Sequence, residues 1–229
     1  MSPVGSLAGQ ARQRLGGSRR DRNLEPRRAM IAQVVYLSPA AGSPASTQTA
    51  LITPVPAADP VVGQVRERFD VAASWGVPAH ITVIYPFVSP DEVSEELISD
   101  LHRIISPVPA FTCRFERTRW FGDDVVWLDP DPAQPFCDLT NAVWDAFPQH
   151  PPYAGAHPQI VPHLTIAQAR LADSAQMLAS EHAVRRHLPL TSRIEHVLLI
   201  AGAPAPRSWH LVHRFDLAES ASDCYKNNP

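Results

Sequence analysis

Two nearly identical tetrapeptides, 83 positions apart, constrain this chain more than any other feature. They are His80-Ile81-Thr82-Val83 and His163-Leu164-Thr165-Ile166. Both alternate polar and apolar residues, and side chains alternate between the two faces of a β-strand. Each tetrapeptide therefore predicts a strand with its histidine and threonine on one face and two branched apolar residues on the other. The spacing is about the length of one half of a duplicated domain.

Cap and turn residues predict the elements around these motifs. Four helices are predicted from their first residues, where a capping Ser or Asp is followed by Pro or, three positions later, by Glu or Gln. They are residues 59–69, a helix that begins at Ser89-Pro90-Asp91-Glu92 and ends at Pro107, a helix that begins at Asp131-Pro132, and residues 173–188. Further strands are predicted at 50–55, 111–120, 125–128, 194–200 and 209–217. Strands 111–120 and 125–128 are predicted to form one hairpin, and strands 194–200 and 209–217 another. The chain therefore predicts an α+β fold with mainly antiparallel sheets.

The first 48 residues differ in composition from the rest of the chain. Seven arginines lie between positions 12 and 28, and the apolar run 30–37 is followed by a stretch rich in Pro, Ala and Ser. Such a segment buries too little apolar surface to offset its ordering entropy, which predicts a disordered tail over residues 1–48. Two alternatives are a targeting peptide and an upstream extension of a chain that starts at Met30. Residues 49–218 are the predicted folded domain, and residues 219–229 are a polar C-terminal tail.

Composition narrows the functional classes. The chain has 229 residues, of which 45% are hydrophobic, and it can bury a core. No apolar run approaches the roughly 18 to 20 residues of a membrane span. The formal net charge of −3 argues against a grip on long nucleic acid, so a short or monomeric substrate is expected. Cys113, Cys137 and Cys224 lack disulfide-like or metal-like spacing, so we expect a reduced cytoplasmic setting. We also expect a monomer without a membrane partner.

The paired motif resembles the 2H phosphoesterase superfamily, which is named for two His-x-Thr motifs. This superfamily includes RNA 2′,3′-cyclic phosphodiesterases and proteins called 2′-5′ RNA ligases. The resemblance covers residues 50–217 and three longer stretches, His80-Ile81-Thr82-Val83-Ile84-Tyr85-Pro86-Phe87, the hairpin 119–128 and Pro162-His163-Leu164-Thr165-Ile166-Ala167. It implies two lobes related by a pseudo-twofold, with helices outside and both motif strands lining a central cleft. It also implies hydrolysis of a 2′,3′-cyclic phosphate on an RNA end or nucleotide and, in reverse, 2′-5′ RNA ligation.

Two histidines and two threonines suit this chemistry. Displacement at phosphorus requires a base on the attacking oxygen and an acid on the departing one, and imidazoles with a pKa near 6.5 can be one neutral and one protonated at neutral pH. By the resemblance, His80 is the proton donor to the leaving ribose oxygen and His163 is the base that activates water. Thr82 and Thr165 can donate hydrogen bonds to the non-bridging oxygens. No metal or other cofactor is expected, because the chain has no carboxylate clamp or His/Cys spacing for one.

Substrate contacts and the exact function remain open at this level. Tyr85 and Trp120 are candidates for stacking on a base, and Arg119 is a candidate for contacting phosphate; the structural alternatives are core packing and a solvated hairpin edge. Besides the phosphoesterase, the motifs are compatible with a nucleotide or RNA-end binding module without turnover and with a metal-dependent hydrolase. Loops 149–161 and 201–208 are expected to select the substrate.

Overall fold

An order of strands and helices repeats around the two motif strands. The computed structural model describes residues 42–157 and 159–219. Most of the predicted N-terminal tail, including the segment to which the targeting-peptide and Met30 alternatives refer, lies outside the described residues. The same is true of residues 220–229, which include Cys224. The strands in the described part are β1 Gln48–Pro54, β2 His80–Ile84, β3 Phe111–Phe121, β4 Val125–Asp131, β5 Leu164–Gln168, β6 Leu190–Ile194, β7 His196–Gly202 and β8 His210–Asp216. The α-helices there are α1 Asp59–Phe69, α2 Val71–Ser74, α3 Glu95–Ile105, α4 Gln134–Ala146 and α5 Ser174–Arg185. None of these described helices combines the length and apolar character that a bilayer span requires.

The strands form two four-stranded sheets. Sheet 1 has the order β2-β1-β7-β8 and sheet 2 the order β5-β4-β3-β6, and every pairing is antiparallel. Each motif strand is an edge of its own sheet, and the two edges approach within 8 Å between Cα atoms. The prediction of an α+β fold with two antiparallel sheets is confirmed, and the two motif strands contact each other.

The two sheets are built by corresponding elements. In sheet 1, β1 is followed by α1, β2 and α3, and in sheet 2, β4 is followed by α4, β5 and α5. The registers also correspond, because Ile52 lies opposite Thr82 and Trp127 lies opposite Thr165. The halves are nevertheless interleaved along the chain. Strand β3 joins sheet 2 directly after α3, and β7 and β8 return to complete sheet 1.

Helices of each half pack against the motif strand of the other half. Helix α1 contacts β5, and α4 contacts β2. The motif strands alternate as predicted, because Ile81, Val83, Leu164 and Ile166 are at most 2% exposed while the intervening histidines and threonines are half-buried. The branched residues join the main core of the molecule. This cross-packing fixes the position of one histidine-bearing face relative to the other.

The capping boxes predicted from sequence have different outcomes. The Asp173 box opens α5, where Asp173 Oδ1 accepts a hydrogen bond from the backbone N–H of Gln176 at 2.8 Å. The Ser89 box is also formed, but it opens only a short 3₁₀ turn. Helix α3 begins later, at Glu95, with Ser94 as its N-cap. The chain therefore has two successive N-caps, Ser89 for the 3₁₀ turn and Ser94 for α3, where the sequence predicts one.

The predicted N-caps Asp59 and Asp131 are wrong, because both residues interact with other segments of the chain instead. Asp59 is the first residue of α1, and its Oδ1 accepts a hydrogen bond from the backbone N–H of Ala79 at 3.2 Å. Asp131 is the last residue of β4 and pairs with Arg114 of β3, while no side chain caps α4. The predicted span of α1 is confirmed.

Strand β6 is absent from the sequence-based prediction. The sequence predicts a helix through Leu188 and a strand only from Ile194, but α5 ends at Arg185 and Leu190–Ile194 pairs with β3. The strand does alternate, yet its central buried residue is Ser192, which hides the apolar period. Both predicted hairpins, β3–β4 and β7–β8, are confirmed.

Candidate active site

The same backbone contact holds both motif histidines. His80 is the first residue of β2, and His163 directly precedes β5. The Nδ1 atom of His80 lies 2.7 Å from the carbonyl oxygen of Pro78, and Nδ1 of His163 lies 2.7 Å from the carbonyl oxygen of Val161. A carbonyl oxygen only accepts hydrogen bonds, so Nδ1 carries the proton in each neutral ring. Nε2 is therefore the nitrogen of each imidazole that can accept or donate a proton.

The structure brings the two motifs together. Strands β2 and β5 contact each other although they belong to different sheets, and a positive charge on His163 is close enough to lower the pKa of His80. Thr82 and Thr165 lie two residues beyond their histidines, on the same face of each strand. All four side chains are half-buried. Two neighbouring strands thus each carry an imidazole and a hydroxyl.

His80 lies beside a buried ion pair. Arg66 and Asp70 are 3% and 1% exposed, and Arg66 Nη2 lies 2.8 Å from Asp70 Oδ2. Burial and, to a smaller extent, the Arg66 cation lower the pKa of His80 to about 4, against the opposing effects of the Pro78 carbonyl and the Asp70 carboxylate. The ring is therefore neutral at pH 7 when nothing is bound.

Burial also lowers the pKa of His163. The Val161 carbonyl and Asp70 oppose this shift, and His157 adds to it. Both rings therefore start from a pKa below the ordinary imidazole value of 6.5 in the ligand-free protein. Enclosure by protein favours the neutral form of both rings.

The two aromatic candidates for substrate stacking both pack against protein. The hydroxyl of Tyr85 donates to Gln48 Oε1 at 2.9 Å, and its ring centroid lies 6.1 Å from that of Trp209. Trp120 packs against the main core and also lines a surface cavity. Each residue has at least one face committed to packing, and base stacking by either residue stays a prediction.

The face of sheet 1 that carries Thr82 is closed by apolar residues. Ile52 lies opposite Thr82, and Leu198 lies opposite Ile52 on the next strand. Both are at most 7% exposed, and they pack with Trp209 and Val77 in a second apolar cluster. This face of sheet 1 is therefore apolar and buried on β1 and β7, the two strands next to the motif strand.

The equivalent face of sheet 2 combines a buried tryptophan with a half-exposed arginine. Trp127 lies opposite Thr165, and Arg119 lies opposite Trp127, in the positions that Ile52 and Leu198 occupy in sheet 1. The Nε atom of Arg119 donates to Asp129 Oδ2 at 2.5 Å, yet about half of the side chain is exposed. A cavity of about 560 Å³ on this face is lined by Arg119, Trp120, Trp127, Asp129 and Val161. This cavity lies next to Val161, whose carbonyl oxygen contacts the His163 ring.

Tyr153 was missed by the sequence analysis, although it falls within the predicted substrate-selecting loop 149–161. Its ring stacks on the imidazole of His163 with a centroid distance of 6.3 Å and an interplanar angle of 23°. The Thr82 side chain is close enough to its hydroxyl to lower the pKa of Tyr153. Tyr153 and Ala154 both adopt the left-handed region, with φ of 54° and 52°. A non-glycine residue in this region costs about 1–2 kcal/mol of conformational free energy. The residue types in this loop do not predict the left-handed backbone, so no signal in the sequence indicates the position of the Tyr153 ring.

In residues 42–157 and 159–219, no group of three or more His, Cys, Asp or Glu residues has the geometry to hold a metal ion. The expectation of a site without metal stays a prediction, which a chelator tests directly. The motif histidines meet threonines and backbone carbonyls instead.

Comparison with known proteins identifies related sequences. The model of the 2′-5′ RNA ligase superfamily matches residues 53–203. A protein named "Putative phosphoesterase" from Bacillus cereus (strain AH820) is 31% identical over 106 residues, which are 45% of this chain and 58% of that protein. A protein of the same name from Bacillus thuringiensis (strain Al Hakam) gives the same identity and coverage. The chain thus spans less than two thirds of the length of these relatives.

Solved structures share the fold. E. coli LigT, crystallised with 3′-AMP, has a TM-score of 0.51 at 19% identity, with 76% of this chain and 99% of LigT covered. The protein TT0787 of Thermus thermophilus has a TM-score of 0.50 at 16% identity, with 74% and 97% covered. The match of the family model extends over more than half of the chain and includes both His-x-Thr motifs, so this protein belongs to the 2′-5′ RNA ligase superfamily.

Proposed function

We propose that this protein hydrolyses 2′,3′-cyclic phosphates of RNA ends or nucleotides to phosphomonoesters by acid–base catalysis with two histidines. The observation that carries the proposal is the matched geometry of His80 and His163, which stand at the starts of two facing edge strands with Nδ1 bonded to a carbonyl two residues earlier. Family membership and relatives named for phosphoesterase activity support the reaction class. The LigT crystal with 3′-AMP supports a nucleotide substrate, because a nucleoside 3′-phosphate is one product of opening a 2′,3′-cyclic phosphate.

The proposed reaction is one in-line displacement. Nε2 of His163 takes a proton from water as the water oxygen bonds to phosphorus. Nε2–H of His80 gives its proton to one ribose oxygen as the bond from that oxygen to phosphorus breaks. Thr82 and Thr165 donate hydrogen bonds to the non-bridging oxygens, where negative charge accumulates. The step ends with His163 protonated and His80 neutral.

The low pKa of His80 fits the acid role once substrate is bound. A phosphodiester carries one negative charge, and an adjacent anion favours the imidazolium form. Substrate binding therefore promotes the protonation that catalysis requires. The buried surroundings and the Arg66 cation then make the imidazolium a strong acid toward the leaving oxygen.

The nucleoside part of the substrate is proposed to lie over sheet 2. The corresponding face of sheet 1 is filled by Ile52 and Leu198, whereas Arg119 and Asp129 border open space beside His163. Arg119 is the proposed substrate contact, and its guanidinium can contact phosphate or stack on a base. Tyr85 and Trp120 are secondary proposals, because their rings already pack against protein.

The test is turnover of a 2′,3′-cyclic nucleotide in the presence of EDTA. We expect His80→Ala and His163→Ala each to lower kcat by about 10²- to 10⁴-fold, the usual contribution of a general acid or base. His102→Ala is the matched control, because His102 is an exposed helical histidine. Its rate should equal that of the wild type.

Other outcomes would replace the proposal. Tight nucleotide binding without turnover would indicate a binding module, and loss of turnover in EDTA with recovery on adding a divalent cation would indicate a metal-dependent hydrolase. With a ribose hydroxyl in place of water, the same imidazoles would run the reaction in reverse. Formation of 2′-5′ linked product from RNA with a 2′,3′-cyclic phosphate end and RNA with a free 5′ end measures that ligase activity.

A further inference from the structure

Tyr153 contacts parts of both motifs at once. Its ring stacks on His163, which precedes β5, and Thr82 in the middle of β2 is close enough to its hydroxyl to lower the pKa of Tyr153. Its backbone N–H donates to the carbonyl oxygen of Tyr85, just beyond the end of β2, at 2.8 Å. Tyr153 therefore contacts the region of the first motif strand through its backbone and hydroxyl, and it contacts His163 through its ring.

The backbone at this position points to a constrained side chain. Tyr153 has φ of 54° and ψ of 34°, and Ala154 follows with φ of 52° and ψ of 29°. Left-handed conformations of non-glycine residues persist where surrounding contacts fix them, and they concentrate at functional sites. Pro151 and Pro152 precede this turn and restrict it further. The turn thereby sets the direction in which the tyrosine ring leaves the loop.

We propose that Tyr153 is a positioning residue that couples the two His-x-Thr motifs. Its ring holds the His163 imidazole, and its hydroxyl orients the Thr82 hydroxyl toward the bound phosphate. The inference rests on the proposed function of this site, because it assigns the loop a part in the same reaction.

The chemistry of the phenol suits this role. Burial raises the pKa of Tyr153 to about 12, against a smaller opposing effect of Thr82. The hydroxyl therefore keeps its hydrogen throughout the neutral range, and when Thr82 turns its own hydrogen to a bound phosphate, the phenol can donate to the oxygen of Thr82. Thr82 is then free to direct its own hydrogen to a non-bridging phosphate oxygen.

The hydroxyl is tested by a double-mutant cycle with Thr82. Tyr153→Phe keeps the ring and removes the hydroxyl, and we expect kcat for a 2′,3′-cyclic nucleotide to fall by up to about tenfold, the value of one hydrogen bond. In a Thr82→Val background, Tyr153→Phe should have no further effect, because the two hydroxyls act as one unit. Multiplicative losses in the double variant would overturn this part of the proposal. Trp144→Leu, which alters an exposed aromatic residue of α4, is the control.

The ring is tested without any activity measurement, by titrating His163 with NMR. Tyr153→Leu should raise the pKa of His163 toward 6.5 because water reaches the imidazole, whereas Tyr153→Phe should leave that pKa unchanged. The groups facing His163 (Asp70, His157 and His80) are intact in both variants. Equal pKa values in the two variants would overturn the role of the ring. A wild-type protein without turnover would refute the proposed function, while the titration would still report on Tyr153.

Discussion

At the scale of single residues, the surroundings of the two imidazoles set the pH range in which they can work. Each ring is oriented by a carbonyl oxygen two residues earlier, and each is less basic than a free histidine. The carbonyl bond fixes the tautomer, and burial fixes the charge. These two effects are separable, because the first concerns Nδ1 and the second concerns the whole ring.

The pKa shifts predict an acidic pH profile for kcat/KM, which reports the free enzyme. One ring with a pKa of about 4 must be protonated, and the other, with a pKa below 6.5, must be neutral. We therefore expect kcat/KM to peak below pH 6.5 and to fall by about tenfold per pH unit on the alkaline side. The kcat profile should lie at higher pH, since bound phosphate stabilises an imidazolium. A kcat/KM maximum above pH 8 for a cyclic nucleotide would contradict this assignment.

Residue type and period were enough to predict which side chains share a face, but not their protonation. The alternation of His80, Ile81, Thr82 and Val83 is a local property, and the structure confirms it. The depressed pKa of His80 depends on burial and on Arg66 of a different element, and the stacking of Tyr153 depends on a left-handed backbone. Neither cause has a signature within the motif.

At the scale of elements, an aspartate joins helix α1 to the start of the first motif strand. Asp59 Oδ1 accepts from the backbone N–H of Ala79, and Ala79 immediately precedes His80. The carbonyl that holds the His80 ring belongs to Pro78, within the same turn of chain. Asp59 thus supports the segment that positions the imidazole, whereas Asp173 only caps α5.

We predict that Asp59→Ala and Asp173→Ala differ in their effect on catalysis. Asp173→Ala should lower the free energy of unfolding by about 1 kcal/mol, the value of an N-cap, without changing kcat/KM. Asp59→Ala leaves a backbone N–H without its acceptor, which costs about 1–3 kcal/mol. It should also lower kcat/KM by on the order of tenfold, because small displacements of a catalytic group are costly. Urea unfolding and turnover of a cyclic nucleotide check both variants, and equal kcat/KM values would contradict the role of Asp59.

The predictions of elements failed where a tertiary partner outweighed a local signal. Asp59 carries the features of a cap but bonds to another segment, and Ser192 occupies a buried strand position that apolar residues usually hold. Asp173 has no competing partner of that kind, and its predicted capping box is formed.

At the scale of the whole molecule, the two halves share a topology but differ in the surface that they present. Sheet 1 places Ile52 and Leu198 beside its threonine, and sheet 2 places Trp127 and Arg119 there. The repeated motif predicted two strands that each carry a histidine and a threonine on one face. It could not predict this difference, because the deciding residues lie on neighbouring strands whose register is set by the fold.

This asymmetry predicts a binding role for Arg119. Arg119→Ala should raise KM for a 2′,3′-cyclic nucleotide by about five- to tenfold and leave kcat within about twofold, because it removes a contact made equally in the ground and transition states. Arg214→Ala is the matched control, since Arg214 forms a similar exposed strand pair with Asp216 on sheet 1. Similar KM values for the two variants would place the nucleoside elsewhere.

The interleaving of the sheets also determines at which point of synthesis the chain can complete its fold. Strand β1 is sandwiched between β2 and β7, so sheet 1 waits for one of the last segments to be synthesised, while sheet 2 is encoded by one continuous stretch. A prematurely terminated product lacking β7 and β8 would contain both motifs, yet its apolar β1 would be an unpaired edge. Chaperones and proteases recognise such fragments, and proteolysis would remove this one before incomplete protein accumulates.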